Sequence, residues 1–162
     1  MIFVTVGTTK FPFERMSGLI YSLAKDRYRN RLIVYQHGET PIGWRLKNVR
    51  LVKFLSDSRH KDMIKKSNII ICHGGPVTIY LSLLYGKQPF VIAREKKYGE
   101  HVNDHQLHFC KKLAQEKKIA LVTNIDDFSK RRYLQRVPAS NFKREHLVIN
   151  FLDYYTQELA AH

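Results

Sequence analysis

The feature that most constrains this chain is a short apolar run that ends abruptly in a glycine turn. Residues Ile69–Cys72 are uninterrupted apolar residues, and His73-Gly74-Gly75-Pro76 follows immediately. Such a run predicts a strand buried on both faces of a parallel sheet. The glycines allow a sharp turn, and Pro76 suits the first turn of a helix because its missing N–H is no loss there. The segment therefore predicts a strand, a tight turn and a helix in succession.

The turn and the helix after it together predict an anion site. We expect the helix to run to Leu84 or Tyr85 and to stop at Gly86, a good residue for ending a helix. Free backbone N–H groups and the positive end of the helix dipole converge at a helix N-terminus. Thr78 adds a hydroxyl donor in the same turn. An ordinary strand-to-helix turn that binds no ligand is the alternative that these residues leave open.

The next segment adds a second strand and a charged loop. Residues Gln88–Ala93 predict a buried strand, and the polar loop Arg94–Val102 follows. Asn103 or Asp104 then caps another helix. In an open α/β sheet, ligands bind outside the carboxyl ends of the strands. Two neighbouring strands are therefore expected to deliver a phosphate-type turn and a charged loop to one crevice.

Strands alternate with helices along the whole chain, which predicts a parallel sheet covered on both faces. The other strands are predicted at Ile2–Val6, Arg31–Gln36, Val49–Phe54 and Ile119–Val122. The other helices are predicted at Phe13–Asp26, Arg59–Lys66, Asp104 to about Glu116, a short one from Ile125, and a closing one from Phe142 to about Leu159. We interpret residues 1–162 as a single Rossmann-like α/β domain. The apolar stripe of the closing helix packs either on this sheet or on a partner subunit.

The composition excludes several classes of protein. With 162 residues, of which 44% are hydrophobic, the chain can bury a core. Two cysteines, Cys72 and Cys110, make no disulfide framework and favour a reducing compartment. The first residues lack the basic leader of a signal peptide, and no apolar run approaches the length of a membrane span. We therefore expect a cytoplasmic protein that is soluble or peripheral to a membrane.

The net charge of +14, from 28 Lys and Arg against 14 Asp and Glu, predicts an affinity for polyanions. Nucleic acid, anionic lipid and diphosphate-bearing molecules all fit, and charge does not choose among them. The sequence has no helix-turn-helix, RNA-recognition aromatic motif or zinc finger. We therefore do not expect a nucleic-acid partner, although a basic nucleic-acid-binding protein remains an alternative.

Four motifs together resemble a known family. They are Val6-Gly7-Thr8-Thr9 with Phe11, Gln36-His37-Gly38, His73-Gly74-Gly75-Pro76-Val77-Thr78 and Tyr98-Gly99-Glu100-His101-Val102-Asn103-Asp104-His105-Gln106. The chain resembles the carboxy-terminal, nucleotide-sugar-binding half of the two-domain glycosyltransferases of the GT-B fold, family 28. Within that group it looks most like the stand-alone donor subunits of split transferases. These include bacterial capsule or exopolysaccharide β-glycosyltransferases and the soluble subunit of the eukaryotic enzyme that adds the second N-acetylglucosamine to dolichol diphosphate.

The resemblance implies a set of residues that bind a nucleoside-diphosphate sugar, most simply a UDP-sugar. They are Gly7, Thr8, Thr9, His73, Gly74, Gly75, Thr78, Arg94, Glu100, His101, Asp104 and Gln106. The glycine turn and Thr78 would hold the diphosphate, Arg94 or Lys96 would supplement the positive charge, and Asp104 and Gln106 would bind sugar hydroxyls. Many two-domain relatives place a ribose-binding glutamate where this chain has Leu81, which leaves the mode of ribose binding open.

A metal site is a second interpretation of the region around His101. His101, His105 and His108 lie near Asp104 and Cys110, but their spacing matches no recognisable zinc motif. GT-B transferases are generally metal-independent, which agrees with the absence of an Asp-X-Asp motif. We expect no metal and no other cofactor.

The mechanism implied by the resemblance is an inverting hexosyl transfer. A deprotonated acceptor hydroxyl attacks the anomeric carbon as the nucleoside diphosphate leaves. In two-domain relatives the general base belongs to the amino-terminal half, so we expect it on a membrane-anchored second subunit. His73 and His101 are the candidates within this chain.

The expected acceptor is a polyprenyl-diphosphate-linked saccharide at the inner face of a membrane, in capsule or exopolysaccharide synthesis. The positive charge of the chain would then serve docking to anionic lipid. A non-catalytic, sugar-nucleotide-binding regulatory subunit is the alternative.

Overall fold

The computed structural model describes residues 1–130, and within them it shows one parallel sheet. Its strands are β1 (Ile2–Thr5), β2 (Ile33–Gln36), β3 (Val49–Val52), β4 (Ile69–His73), β5 (Phe90–Ile92) and β6 (Ala120–Leu121). They are ordered β3-β2-β1-β4-β5-β6, and every neighbouring pair is parallel. The predicted Rossmann-like α/β fold class is confirmed. The predicted closing helix from Phe142 lies outside the described residues.

The helices follow the predicted alternation with the strands. They are α1 (Glu14–Lys25), α2 (Asp57–Lys66), α3 (Pro76–Leu84), α4 (His105–Gln115) and α5 (Asp127–Lys130), with a 3₁₀ turn at Lys96–Tyr98. Helix α2 begins two residues earlier than predicted because the Ser56 hydroxyl accepts a hydrogen bond from the Arg59 N–H and caps the helix. Among the described residues, no helix combines the length and the apolar character needed to cross a bilayer.

Alternate strand residues point to two separate cores, one on each face of the sheet. On one face, Val4 and Ile71 pack with Ile20 of α1. On the other face, Phe3 packs with Ile79 of α3 and with apolar side chains of α2 and α4. Because successive side chains of a strand point to opposite faces, every strand buried on both faces reads as a continuous apolar run. The prediction of helices on both faces is confirmed.

The sheet reverses its winding between β1 and β4. From β1 the chain continues outward through β2 and β3, whereas β4, β5 and β6 follow one another on the other side. Thr5 of β1 is in register with Gln36 of β2 and with Cys72 of β4, so these strands end at the same level. The loop after β1 and the glycine turn after β4 therefore meet at a topological switch point, where open α/β sheets bind their ligands.

Candidate functional site

A cavity of about 410 Å³ opens at this switch point. Eight of the predicted donor-binding residues line it, and they are Gly7, Thr8, Thr9, His73, Gly75, Thr78, His101 and Gln106. The remaining lining residues were not predicted as site residues, and they are Gln36, Leu55, Asp57, His60, Pro76 and Val77. The topology thus collects motifs from four separate parts of the chain around one space large enough for a small-molecule ligand.

The imidazole of His73 lies between two glycines, and this contact explains why both positions are glycine. Gly7 has a φ of +81°, and a Cβ placed there would lie 2.6 Å from Nε2 of His73. A Cβ at Gly75 would lie closer still to the same nitrogen. Any side chain at either position would displace the ring, so the ring and the two turns are built as one unit.

Gly74 serves a different purpose from its neighbour. A Cβ at Gly74 would lie 2.9 Å from Sγ of Cys110 and 3.0 Å from Cβ of Gln106. Gly74 therefore allows the turn to pack closely on α4, and it is not among the residues that line the cavity. It brings Gln106 close to the glycine turn.

The N-terminus of α3 faces the cavity. Gly75 is the N-cap, Pro76 is the first helical residue as predicted, and the first turn contains no acidic side chain. Because Gly75 has no side chain, the first N–H groups of the helix receive no side-chain cap from this residue. The positive end of a nine-residue helix is therefore directed at the space lined by Gly75, Val77 and Thr78. An anion bound there would be stabilised by these N–H groups and by the helix dipole.

A chain of hydrogen bonds runs beneath the cavity from β1 to α3. The Thr5 hydroxyl accepts from the Gly7 N–H (3.1 Å) and donates to Oε1 of Gln36 (3.2 Å). Nδ1 of His60 lies 3.4 Å from the same Oε1, and its Nε2 lies 3.2 Å from the Thr78 hydroxyl. Burial lowers the pKa of His60. Four elements of the fold are joined in this way to fix the Thr78 hydroxyl at the cavity wall.

The two residues expected to bind sugar hydroxyls are placed differently. Gln106 is 5% exposed and lines the cavity, and its Oε1 has no hydrogen-bond partner within residues 1–130. Asp104 is the N-cap of α4, but its carboxylate accepts from the Lys96 N–H at 2.7 Å and does not line the cavity. The side chain that caps α4 is Asn103, whose Oδ1 accepts from the His105 N–H at 3.2 Å.

Arg94 also lies outside the cavity lining. It is fully buried, and its guanidinium donates to the carbonyl oxygens of Val6 (2.9 Å), Phe11 (2.9 Å), Pro12 (3.2 Å) and Glu100 (3.1 Å). Burial lowers its pKa to about 10, so it remains charged at neutral pH. The structure thus places Arg94 behind the cavity wall, where it connects the loop after β1 to the loop after β5.

Glu100 completes the same connection. It is 3% exposed, and its carboxylate accepts two hydrogen bonds from the Arg15 guanidinium, at 3.0 and 2.7 Å. It also accepts from the Glu95 N–H at 3.0 Å. Paired side-on contacts of this kind are the strong geometry for arginine and carboxylate. Glu100 therefore holds the loop that carries His101, and it is not itself part of the cavity lining.

The electrostatics of His73 bear on its candidacy as a general base. Burial, followed by the nearby charge of Arg94 and then by His60, lowers the pKa of His73 to about 3. The imidazole is therefore neutral at neutral pH, and only strong acid protonates it. A base is most effective when its pKa lies near the working pH, so the surroundings of His73 disfavour proton abstraction by this residue.

Two side chains of the hydrogen-bonded chain, Gln36 and His60, were missed as site residues. Gln36 belongs to one of the motifs that carry the family resemblance. The sequence therefore singled it out, but it did not show that the side chain lines the cavity. The location of His60 followed from the helix predicted after the strand Val49–Phe54, because the first turn of such a helix lies at the carboxyl edge of the sheet. Its contacts with Gln36 and Thr78 gave no signal in the sequence. Within residues 1–130, no group of three or more His, Cys, Asp or Glu side chains is arranged to hold a metal ion.

A doubly wound parallel sheet with a glycine turn, a helix N-terminus and a cavity at its switch point defines an α/β ligand-binding domain. The chain belongs to the glycosyltransferase family 28 C-terminal domain family, whose model matches residues 1–126. The predicted family resemblance is confirmed at this level, and membership supports a role in sugar transfer.

Among solved structures, the glycosyltransferase SnogD from Streptomyces nogalater is similar to this chain. The sequence identity is 24% and the TM-score is 0.48, over 59% of this chain and 26% of that chain. The similar region thus amounts to about a quarter of the length of SnogD. A search of the curated proteins found no match.

Proposed function

We propose that this chain is the donor-binding subunit of an inverting glycosyltransferase that uses a UDP-sugar. The observation that carries the proposal is the cavity itself, in which the Gly7 loop, the N-terminus of α3 and Gln106 converge within a family 28 domain. The backbone N–H groups at the start of α3 would hold the diphosphate. Fixed donors of this kind need no reorganisation as charge builds on the leaving group. Gln106 is buried, its Oε1 has no hydrogen-bond partner among residues 1–130, and it would bind the sugar.

The transfer would occur against an acceptor held by a second polypeptide. An acceptor hydroxyl on a polyprenyl-diphosphate-linked saccharide loses its proton to a base of that partner. The oxygen then attacks the anomeric carbon, and the bond to the nucleoside diphosphate breaks on the opposite face. The pKa of His73, held near 3, argues against His73 as that base. The pathway would be the synthesis of a capsule or an exopolysaccharide at the inner face of a membrane.

The distribution of exposed apolar side chains supports a partner on the cavity side. Seven large apolar side chains are exposed within residues 1–130, and five of them lie beyond the carboxyl ends of strands. These five are Phe54, Val77, Tyr98, Val102 and Ile125, which are 40–55% exposed. Contiguous exposed apolar patches mark interaction surfaces, and we propose that these side chains contribute to one. We therefore place the partner, and through it the membrane, on this edge of the sheet.

The first test is calorimetric titration of the purified chain with UDP, UDP-glucose, UDP-galactose, UDP-glucuronate and UDP-N-acetylglucosamine. We expect one UDP-sugar to bind and Thr78→Ala or Gln106→Ala to weaken it by about tenfold or more. Gln115→Ala is the matched control, because Gln115 is exposed on the same helix as Gln106. Unchanged affinity in both cavity variants would remove the donor site from this cavity.

The second test is reconstitution with the candidate partner and a lipid-linked acceptor. A donor-binding subunit predicts that Gln106→Ala abolishes turnover while leaving assembly intact. Turnover by the partner alone, at the same rate with and without this chain, would instead favour the regulatory alternative.

A further inference from the structure

His60 is a cavity residue for which the proposed donor site gives no role. It lies in the first turn of α2, and its ring packs edge-on against Phe3, with the ring centroids 5.3 Å apart. Both ring nitrogens have polar neighbours, Gln36 on one side and Thr78 on the other. A histidine held on both nitrogens has a defined proton arrangement, which can be worked out from its neighbours.

The neighbours of His60 assign its neutral tautomer. The Gln36 amide nitrogen donates to the Gly7 carbonyl, which directs Oε1 of Gln36 towards His60. Since Oε1 can only accept, Nδ1 of His60 carries the proton and donates it. Nε2 is then unprotonated and can only accept a hydrogen bond, so the Thr78 hydroxyl must donate to it. In this state the single hydroxyl proton of Thr78 is directed at His60 and not at a ligand.

Protonation of His60 reverses the second hydrogen bond. With both ring nitrogens as donors, Oγ1 of Thr78 becomes the acceptor, and its proton is free to turn towards the cavity. The charged and titratable groups that face His60 are Asp57 on its own helix and His73 on β4. Burial lowers the pKa of His60 and Asp57 opposes this effect, so the unliganded ring is neutral at neutral pH.

The cavity lining offers few positively charged groups to a bound anion, so a proton on His60 would matter for binding. Among the residues that line it within the described part of the chain there is no lysine or arginine, and the side chains that can become cationic are His60, His73 and His101. A bound anion would favour the protonated form of an imidazole in direct or hydrogen-bonded contact with it.

We propose that His60 is a positioning residue that takes up a proton when a phosphate-bearing ligand binds and thereby turns the Thr78 hydroxyl into a donor to that ligand. The proposal rests on the proposed function in that the ligand is the diphosphate of the sugar donor. Binding is then coupled to proton uptake, and affinity falls as pH rises, by up to about tenfold per pH unit in the window between the free and bound pKa values of the ring.

The experiment is calorimetric titration of the full chain with UDP-glucose and, separately, with inorganic diphosphate, from about pH 6 to about pH 8.5. Buffers of different protonation enthalpy report the number of protons taken up. We expect uptake by the wild type and loss of uptake in His60→Gln. His108→Gln, on the exposed face of α4, is the matched control. Proton uptake by the phosphates of the ligand itself is the same for every variant, so the difference between variants reports the uptake by the protein.

The two proposals fail in different ways. Proton uptake with diphosphate but no binding of UDP-glucose or other UDP-sugars would leave the His60 inference standing and remove the sugar donor. Binding of a UDP-sugar with uptake that persists in His60→Gln would overturn the inference and leave the donor site standing. Absence of binding by diphosphate and by every UDP-sugar would overturn both.

A measurement on the unliganded protein guards against a His60→Gln chain that does not fold. Long-range ¹H–¹⁵N correlation spectra distinguish the two neutral tautomers of a histidine. We expect the Nδ1–H form for His60. The Nε2–H form would contradict the hydrogen-bond arrangement on which the proposal depends.

Discussion

Replacing Arg94 with methionine would remove the donors that hold two loops together. The guanidinium is fully buried and donates to the carbonyl oxygens of Val6, Phe11, Pro12 and Glu100 at 2.9–3.2 Å. Methionine is unbranched and fills much of the same space, so the change tests the hydrogen bonds more than the packing. We expect the protein to fold but with a clear loss of stability.

The magnitude follows from which carbonyls water can reach. Pro12 is exposed and Phe11 is partly exposed, so their carbonyls can find water when Arg94 is lost. The bonds to the carbonyls of Val6 and Glu100 are buried. Each unsatisfied buried acceptor costs about 1–3 kcal/mol, which gives roughly 2–6 kcal/mol for the two. Removing a buried charge returns part of this, so we expect about 2–4 kcal/mol.

Urea unfolding followed by circular dichroism measures the change. With a denaturant slope near 2 kcal/mol per M, the midpoint should fall by about 1–2 M. The unfolding midpoint of Arg94→Lys should lie between those of the wild type and Arg94→Met, because an ammonium cannot reach both loops in the way that a guanidinium does. Arg29→Met, at an exposed arginine, is the matched control and should not move the midpoint.

The outcome also decides between two roles for Arg94. The sequence assigned it to the diphosphate, whereas the structure shows it bound to backbone carbonyls. If Arg94→Met unfolded like the wild type but lost affinity for the UDP-sugar, direct contact with the ligand would be correct and the structural reasoning would be refuted.

Three further changes test other parts of the structure. Gly75→Ala should abolish ligand binding and lower stability by about 1–3 kcal/mol, because its Cβ would overlap the His73 ring. Gly43→Ala, which has open space around it, should change neither binding nor stability. Calorimetry measures the binding, and urea unfolding measures the stability. The folded pKa of His73 is about 3, below its unfolded value near 6.5, so the unfolded state binds more protons between these two pH values. Stability should therefore fall as the pH is lowered through this range, by at most about 1.4 kcal/mol per pH unit. His73→Gln should remove this contribution from unfolding measured as a function of pH. Lys87→Met should free the carbonyls that end α2 and raise hydrogen exchange in its last turn, since the ammonium donates to Ile64, Lys65 and Ser67.

The parts of the fold that the sequence predicted are those whose signals are local. The apolar run at Ile69–Cys72 identified β4 because a strand buried on both faces needs apolar residues at every position. Pro76 identified the start of α3 for a reason confined to one turn. The alternation of strands and helices predicted a crevice at the carboxyl ends of the strands, but the strand order, and with it the switch point between β1 and β4, came only from the structure.

The parts that could not be predicted depend on long side chains that cross between elements. Arg94 and Glu100 stand in a polar loop, and sequence alone could not show that Arg94 reaches the carbonyls of the first loop or that Glu100 pairs with Arg15. His60 depends on partners from three other elements. Charge and polarity suggest a ligand for such residues, but burial gives them a different partner.

We expect the positive charge of the chain and the lining of its cavity to act on different ligands, and salt to separate the two effects. The chain carries +14, yet its cavity, as far as residues 1–130 line it, contains no lysine or arginine. Exposed charges are screened over about 10 Å at 0.1 M salt and about 3 Å at 1 M, whereas buried or partly buried contacts are screened much less. Raising sodium chloride from about 50 to about 500 mM should therefore change UDP-sugar affinity by less than about threefold but weaken binding to phosphatidylglycerol vesicles by more than about tenfold. Equal salt dependence in the two titrations would instead bring surface lysines or arginines into the ligand site.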